Sequence, residues 1–334
     1  YQLRLVTVVA SFASVPLRAR PPSFPPPKTH AVSHRRLPTM RAPLPLLLMA
    51  TMPALSLAVR RVFVSGAGGQ TGQSVFRKML ARPELFQPVG VVRSEARRQE
   101  LIASGVPPAT VVVADVTDAA AVAAAAAGCD AFAICTSAKP SPTGATSEAG
   151  RPVFGFPAGN PELVDWLGQK NQIDAAKLAG LDTLVVICSS MGGTDPNHPL
   201  NALGRREDLG DGSTRGGDIL KWKRKAELYL VESGLPYCIV HPGGLLNEPG
   251  GKRELCVGVD DSITGTANRS VPREDVAEVI VQAMLHAGFQ KRSFDLVSKP
   301  EGDGQVTTDF AQLAASLEGR SCDYTLGEIG GTAK

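Results

Sequence analysis

The chain has few of the residues that build metal and disulfide sites. Its 334 residues include five histidines and six cysteines, and no two cysteines form a C-x-x-C pair. The histidines show no metal-ligand spacing either, so the sequence predicts no metal site. Cys135, Cys188 and Cys238 lie in apolar, strand-like runs. We therefore expect buried, reduced thiols in a reducing compartment such as a stroma, a matrix or the cytosol.

Acidic residues are absent until Glu84, and residues 1–61 hold eight arginines and one lysine. This segment is rich in proline and serine and has no periodicity that would give it a core-facing side. Its composition is typical of an organelle transit peptide. A second interpretation starts at Met40 and treats Pro43–Leu57 as the apolar part of a signal peptide. The two signals can also occur in series.

We assign residues 1–59 to targeting, residues 60–310 to a folded domain and residues 311–334 to a C-terminal tail. The apolar run Pro43–Leu57 contains three prolines, so we expect no membrane-spanning helix there. We also expect that the mature domain does not span a membrane. The chain is 43% hydrophobic and 20% charged, which is enough for one substantial core. A net charge of +3 is too small to indicate a nucleic-acid partner.

Three glycines give the most informative motif. An apolar strand runs into Gly66, Gly69 and Gly72 and then into a helical pattern. Gly66 permits a tight turn, Gly69 lets the backbone approach a phosphate, and Gly72 lets the helix pack closely on its strand. Gln70 and Thr71 lie at the helix N-terminus, where free N–H groups favour an anion. The motif predicts that these five residues bind the pyrophosphate of a dinucleotide.

The residue that selects between the two nicotinamide dinucleotides is predicted to be Arg93. It follows the second predicted strand, where NAD sites usually carry an acid about 20 residues after the glycines. A guanidinium can hold a 2′-phosphate through two parallel N–H bonds, and Ser94 would add a donor. We therefore expect NADP(H) rather than NAD(H). A solvated basic turn is the alternative, because Arg97 and Arg98 follow.

Beyond residue 60, short β-branched runs alternate with longer helical patterns. This alternation predicts an α/β fold with a doubly wound parallel sheet of the Rossmann type. The predicted strands are 61–65, 89–92, 110–114, 131–135, 184–188, 237–240 and 293–296. The predicted helices are 73–81, 96–104, 119–126, 163–179, 220–232 and 273–288. Residues 136–161 and 189–217 each follow a strand end, and we expect both to be irregular loops forming a small substrate-side lobe.

Further motifs cover nearly all of residues 61–310. They are Val164-Asp-Trp166, Gln169–Lys177, Ser190–Thr194, Trp222–Glu227, Ser233–Tyr237, Pro242–Leu245, Val271–Ala277 and Phe294–Gly302. With the glycine motif, they resemble the atypical short-chain dehydrogenases/reductases, and within them an NmrA-like, plant and algal group of NAD(P)-binding proteins. That group is often plastid-located, so the resemblance implies the chloroplast, with mitochondrion or cytoplasm as alternatives.

In this superfamily a serine after the fifth strand and a Tyr-x-x-x-Lys pair carry hydride chemistry. The tyrosine is the general acid, and the lysine lowers its pKa and holds the nicotinamide ribose. The resemblance places Ser189 and Ser190 in the serine region and Lys223 at the lysine. Ile219 stands at the tyrosine position, and none of the four tyrosines has a lysine four residues later. The usual proton donor is therefore missing.

The same resemblance implies that the remaining cofactor contacts lie at the carboxyl ends of the strands. Asp115 and Val116, after the third strand, should lie by the adenine. Two pairs should frame the nicotinamide half of the cofactor: Cys135 with Thr136, and Pro242 with Gly243.

Two functions compete. The complete cofactor scaffold favours an NADP(H)-dependent oxidoreductase that acts on a small carbonyl or enone, with protonation by a serine or by water. Ile219 favours a non-catalytic NADP(H)-binding redox sensor or assembly scaffold with a plastid protein partner. A nucleotide-sugar epimerase is disfavoured, since those relatives generally keep the tyrosine. The sequence does not indicate an oligomeric state.

Overall fold

A twisted parallel sheet forms the centre of the structure. The computed structural model describes residues 59–146, 150, 152–204, 207–208, 214–215, 217–264, 266 and 269–331. These described residues belong to one compact unit, Leu55–Lys334.

The strands of the described residues are β1 (Arg60–Ser65), β2 (Phe86–Val92), β3 (Val111–Val113), β4 (Ala131–Ile134), β5 (Ser141–Thr146), β6 (Pro152–Gly155), β7 (Leu184–Cys188), β8 (Glu207–Asp208), β9 (Thr214–Arg215), β10 (Tyr237–Pro242), β11 (Gly244–Leu246), β12 (Leu255–Gly258), β13 (Ser270–Pro272) and β14 (Arg292–Ser298). The helices are α1 (Gln70–Leu80), α2 (Glu95–Ala103), α3 (Ala119–Ala125), α4 (Gln169–Ala179), α5 (Pro199–Ala202), α6 (Ile219–Val231), α7 (Arg273–Ala283) and α8 (Phe310–Ala315). A π-helical segment, Glu162–Gly168, leads into α4.

Eight strands build the main sheet in the order β12-β14-β10-β7-β4-β1-β2-β3. All neighbouring pairs are parallel except β12 with β14, which is antiparallel. The chain winds outward from β1 in both directions, so the order of the strands reverses between β1 and β4. Ligands of open α/β sheets bind at the carboxyl ends of the strands beside such a reversal.

Both faces of the sheet are buried, which explains the nearly continuous apolar runs in its strands. In β1, Val62 and Val64 join a core cluster with residues of α1, α2, α7 and α8. Phe63 points to the opposite face, where it joins residues of α3, α4 and α6. The predicted doubly wound α/β fold is confirmed, because helices cover each face and side chains alternate along each strand.

The structure also differs from the sequence predictions. The edge strand β12 was not predicted, since Leu255–Gly258 is short and lacks clear alternation. The expectation of an irregular loop over 136–161 is wrong in part, because β5 and β6 pair there as an antiparallel hairpin. The hairpin contains Pro and Gly, which are depleted in strands, so its sequence did not predict strands. The stretch 189–217 likewise contains α5 and the two-residue strands β8 and β9.

The segment predicted to be a C-terminal tail packs on the domain over its described part. Leu313, Ala314 and Leu317 join the main core cluster. Further along, the Cys322 N–H donates to the Ser293 carbonyl at 2.8 Å, and the Gly330 N–H donates to the Lys221 carbonyl at 3.0 Å. These bonds attach the segment to β14 and to α6.

Replacing Phe132 by Ala should lower the free energy of unfolding by about 3–5 kcal/mol, the range for large-to-small changes in cores. Phe132 is fully buried and contacts Phe63, with ring centroids 4.9 Å apart. Urea denaturation of the full chain would measure the change. Leu178→Ala is the control, because Leu178 is 81% exposed and should shift stability by no more than about 0.5 kcal/mol. Equal effects of the two substitutions would contradict the assignment of the core.

Candidate functional site

The glycine motif forms a tight turn between β1 and α1. Gly66 has φ +66°, and a Cβ atom there would lie 2.6 Å from the Cys135 carbonyl oxygen. A Cβ atom on Gly72 would lie 2.3 Å from the Gly66 carbonyl oxygen. The Gly69 N–H donates to that same oxygen at 2.8 Å. The fold itself therefore requires Gly66 and Gly72, whereas Gly69 closes the turn and begins the helix.

The N-terminus of α1 has no side-chain cap. Gly69 is its N-cap residue, no side chain accepts from the first N–H groups, and the first turn carries no acid. The first N–H groups of a helix have no partner within the helix. Those of Gln70, Thr71 and Gly72 are therefore suited to an anion, and the helix dipole favours negative charge there.

A cavity of about 560 Å³ opens beside this turn, a size that fits a bound cofactor. It lies along the carboxyl ends of β1, β2, β3 and β4. Eight of the predicted cofactor residues line it: Gly66, Gly69, Arg93, Ser94, Asp115, Val116, Cys135 and Thr136. Residues separated along the chain thus meet where the strand order reverses.

The β2 end of the cavity is basic. The Arg93 guanidinium donates through Nη1 to the Ala158 carbonyl oxygen at 2.5 Å. The Ser94 hydroxyl caps α2 by accepting from the Arg97 N–H at 3.3 Å. Arg97, which was not among the predicted site residues, also lines the cavity. It lies over Gly68, where a Cβ atom would be 2.3 Å from the Arg97 Cγ. The signal in the sequence was a second arginine four residues after Arg93, in the first turn of α2.

The β3 end of the cavity is fixed by local hydrogen bonds. Asp115 accepts through Oδ1 from the N–H of Thr117 at 2.9 Å and from its hydroxyl at 2.8 Å. The Val116 carbonyl accepts from Asn171 Nδ2 at 3.0 Å. The Asn171 bond ties the β3 end of the cavity to α4, which contains Asn171.

The β4 end carries Cys135 and Thr136. The Cys135 N–H donates to Ser65 Oγ at 3.3 Å, and Gln172 donates to Thr136 Oγ1 at 3.2 Å. Burial raises the pKa of the Cys135 thiol well above its ordinary value, so the thiol is neutral near pH 7. It offers the cavity a small, uncharged surface.

Lys223 lies outside the lining of this cavity. Its ammonium is 2.8 Å from Asp165 Oδ1, and the two side chains are 7% and 0% exposed. Burial lowers the pKa of Lys223, but the nearby Asp165 carboxylate outweighs it and the net shift is upward. Asp165 also accepts from the Ala138 N–H at 2.9 Å, and Ala138 lines the cavity. Asp165 therefore connects Lys223 to Ala138 in the cavity wall.

The serine region is also occupied by internal bonds. The buried Ser189 donates its hydroxyl to Glu227 Oε1, and Ser190 donates to the Met191 carbonyl at 3.0 Å. Neither serine lines the 560 Å³ cavity, and neither do Pro242 and Gly243 at the end of β10. The structure does not bring these four predicted residues to the cavity.

The position of the missing tyrosine is filled by a packing residue. Ile219 belongs to an apolar cluster with Ala138, Val164 and Leu220, against which Phe156 packs. Tyr229 instead bonds Asp174 Oδ1 at 2.5 Å and contacts Trp166 edge to face. Among the described residues, no tyrosine lines the cavity. Trp166 and Phe156 both pack against the domain.

Comparison with known proteins agrees with this geometry. The profile of the NAD(P)H-binding family matches residues 66–287. An uncharacterized chloroplastic protein of Arabidopsis thaliana is 46% identical over 255 residues, which cover 75% of this chain and 74% of the relative. Sanguinarine reductase of Eschscholzia californica is 42% identical over 276 residues, covering 77% of this chain and 95% of the reductase. A solved Bacillus halodurans structure, assigned to the NAD-dependent epimerases/dehydratases, superposes with a TM-score of 0.54 at 25% identity, covering 77% of this chain and 100% of its own.

The chain therefore belongs to the NAD(P)H-binding family of Rossmann-fold proteins, and its fold is that of an NAD(P)-binding oxidoreductase. This confirms the resemblance drawn from the sequence motifs. The chloroplastic relative confirms the predicted plastid location. Within the described residues, no helix is long and apolar enough to cross a membrane.

Lys223→Ala should lower the free energy of unfolding by about 3–5 kcal/mol, because it leaves the Asp165 carboxylate buried without its partner. The double variant Lys223→Ala/Asp165→Ala should lose less than the sum of the two single variants. Urea denaturation of the four proteins gives the coupling between the two residues. Additive effects would show that the ion pair contributes nothing.

The same pair should give a pH-dependent stability. The pKa of Lys223 is raised above its ordinary value of 10.5, so its contribution is fully present below pH 10.5. That contribution is lost as the pH rises through the higher folded-state value. The stability advantage of the wild type over the double variant should therefore shrink above pH 10.5 and stay constant between pH 7 and 9.

Proposed function

We propose that this protein is an NADP(H)-dependent reductase of a small carbonyl or enone, working without the usual tyrosine acid. The observation that carries the proposal is the cavity at the strand reversal, with a glycine turn at one side and Arg93 and Arg97 at the other. The 42% identical sanguinarine reductase supports reduction as the reaction type. The segment that follows β4 lines this cavity, and we assign the substrate-side walls to it and to the segment that follows β7.

The charges around the cavity support NADP(H) over NAD(H). Asp115 is the one carboxylate among the described lining residues, and its Oδ1 is occupied by Thr117. The acids nearest the arginines on α2 are paired, Glu95 with Arg98 and Glu100 with Arg97. Arg93, the residue that follows β2, therefore places a cation where NAD-binding sites usually carry an acid. A guanidinium there attracts a 2′-phosphate, whereas a carboxylate would favour the two ribose hydroxyls.

The pyrophosphate would lie at the N-terminus of α1. The uncapped N–H groups of Gln70, Thr71 and Gly72 would donate to it, and Gly69 allows its close approach. Asp115 and Val116 would lie by the adenine, with Cys135 and Thr136 toward the nicotinamide. Pro242 and Gly243 are more distant from the cavity, so their contact with the nicotinamide stays a prediction.

Bound NADPH would supply the hydride to the electrophilic carbon of the substrate. The alkoxide or enolate that results needs one proton. Ser190 is the less constrained of the two serines, since it bonds only a backbone carbonyl, whereas the Ser189 hydroxyl is directed to Glu227. Because Ser190 does not line the cavity, it would act through water. Water in the cavity would serve equally. Ile219 cannot take part.

We assign Lys223 an indirect role in this function. Its ammonium is bound to Asp165, and Asp165 holds the Ala138 N–H at the cavity wall. Lys223 thus positions the wall of the nicotinamide half. The direct ribose contact implied by the family resemblance would require the ammonium to leave Asp165.

A second function, a non-catalytic NADP(H)-binding sensor or scaffold with a plastid protein partner, is favoured by two observations. The hydroxyls expected to carry proton transfer are bonded internally, and Ile219 packs in an apolar cluster. In this case the two cofactor states must have different affinities for the partner.

Arg93→Ala should weaken NADPH binding by roughly ten- to a hundredfold, the effect of losing charge-assisted bonds worth about 1.5–3 kcal/mol. NADH binding should stay unchanged, because NADH has no 2′-phosphate. Calorimetric titration of the full chain would measure both cofactors. Arg77→Ala is the matched control, since Arg77 is an exposed arginine on α1 that does not line the cavity. Equal affinity of the wild type for NADPH and NADH would contradict the cofactor assignment.

Turnover separates the two candidate functions. A panel of aldehydes, ketones, quinones and enones, tested under conditions where NADPH binding has been shown, should include at least one substrate that oxidises NADPH. Arg93→Ala should raise the KM for NADPH far more than it lowers kcat. No turnover across the panel, combined with partner capture that differs between NADPH and NADP⁺, would favour the sensor.

A further inference from the structure

A second cluster of reactive side chains lies apart from the cofactor cavity, on the α6 side of the sheet. His241 in β10 and Asp295 in β14 are paired in register on neighbouring strands. Cys322, from the C-terminal segment, meets them there. All three residues are buried, between 2% and 9% exposed. His241 and Cys322 are 81 residues apart in the chain, so no local spacing could reveal the cluster.

The donor atoms of this cluster have the spacing of ligands around one ion. Cys322 Sγ and His241 Nδ1 are 3.5 Å apart, and His241 Nδ1 and Asp295 Oδ1 are also 3.5 Å apart. All three donor atoms lie within 4.8 Å of one another. Tetrahedral zinc with bonds of about 2.0–2.3 Å separates neighbouring ligand atoms by about 3.3–3.7 Å. A cavity of about 10 Å³ adjoins the three residues.

The other nitrogen of the His241 ring is held as metal-bound histidines usually are. His241 Nε2 lies 3.0 Å from Glu227 Oε2. That carboxylate is itself fixed by the hydroxyls of Ser189 and Tyr324. A carboxylate that accepts from one ring nitrogen leaves the other nitrogen free to bind a metal, and it orients the ring. Glu227 has this role in the cluster.

We propose that His241 Nδ1, Asp295 Oδ1 and Cys322 Sγ form a binding site for a divalent transition metal, with zinc as the best match. The mixed nitrogen, oxygen and sulfur donors suit zinc, whereas magnesium and calcium prefer oxygen alone. Two anionic ligands would balance the charge of the ion. A fourth position, toward the small cavity, is open to water.

The site would act as a structural anchor. Its three ligands come from β10, from β14 and from the segment that follows α8. That segment is also held by the Arg224 guanidinium, which donates to the Asp323 carbonyl at 2.9 Å, by the Tyr324 hydroxyl, which donates to Glu227, and by the Lys221–Glu328 ion pair. An ion at Cys322 would connect this segment to the centre of the sheet, and metal-binding energy would add to the stability of the domain.

Metal analysis of the full chain tests the proposal directly. The protein, purified and dialysed, should retain about one zinc per chain, and removing it with a chelator should lower the melting temperature. Adding Co²⁺ to the stripped protein should produce the thiolate-to-cobalt charge-transfer absorption. Zinc should then displace the cobalt and abolish this absorption.

Two substitutions locate the site. Cys322→Ser should abolish the charge-transfer absorption. The matched control is Cys256→Ser, because Cys256 is a half-buried cysteine on β12 that is not one of the three ligands, and it should keep the absorption. Glu227→Gln, which removes only the carboxylate behind the ring, should weaken zinc binding by about 10- to 100-fold.

Zinc retention and cobalt absorption of the wild-type protein test the proposed metal site even if a variant fails to fold. A protein that retains no zinc and shows no cobalt–thiolate absorption would overturn the proposal, and His241 would then be an imidazolium held between Glu227 and Asp295. Absorption that persists in Cys322→Ser would also overturn it, because the thiolate would come from another cysteine.

Discussion

The close approach between the β1 turn and helix α1 is the constraint on which the rest of the cofactor site depends. The Gly66 carbonyl oxygen lies where a Cβ atom on Gly72 would be 2.3 Å away, so helix and strand can meet only through glycine. The other side of the same turn packs against the Cys135 backbone. Since β1 and β4 are neighbours in the sheet, this contact fixes both walls of the strand reversal and gives the cofactor its place.

Charge then distinguishes one end of that cavity from the other. Two guanidinium groups, Arg93 and Arg97, lie at the β2 end, whereas the β4 end presents the neutral Cys135 thiol, small polar groups and one ammonium, Lys139. The proposed NADP(H), with its extra phosphate on the adenosine ribose, matches the two arginines. Arg93 is also held by the Ala158 carbonyl, so the segment after the β5–β6 hairpin helps to orient the guanidinium. This hydrogen bond connects the segment after the hairpin to the β2 end of the cavity.

The residues expected to carry proton transfer instead satisfy one another. Lys223 neutralises Asp165, and Ser189 joins Tyr324 and His241 around Glu227. Buried charges must be paired and buried hydroxyls bonded, so these contacts are a requirement of the packed interior. In the proposed reduction the proton would therefore come from water, either directly or with Ser190 behind it. Such a proton source would differ from that of relatives with a tyrosine.

The sequence by itself determined the fold class, the strands of the main sheet except β12, and the glycine turn. These features depend on local periodicity and on backbone positions that only glycine can occupy. The sequence also predicted a site residue at Arg93, which lines the cavity, because the residue after β2 follows the glycines at a fixed distance. Only the tertiary structure decided that Arg97 reaches the cavity, that Lys223 is bound to Asp165, and that His241, Asp295 and Cys322 meet. These contacts join residues far apart in the chain, and their partners are set by packing across layers, which leaves no periodic signal in the sequence.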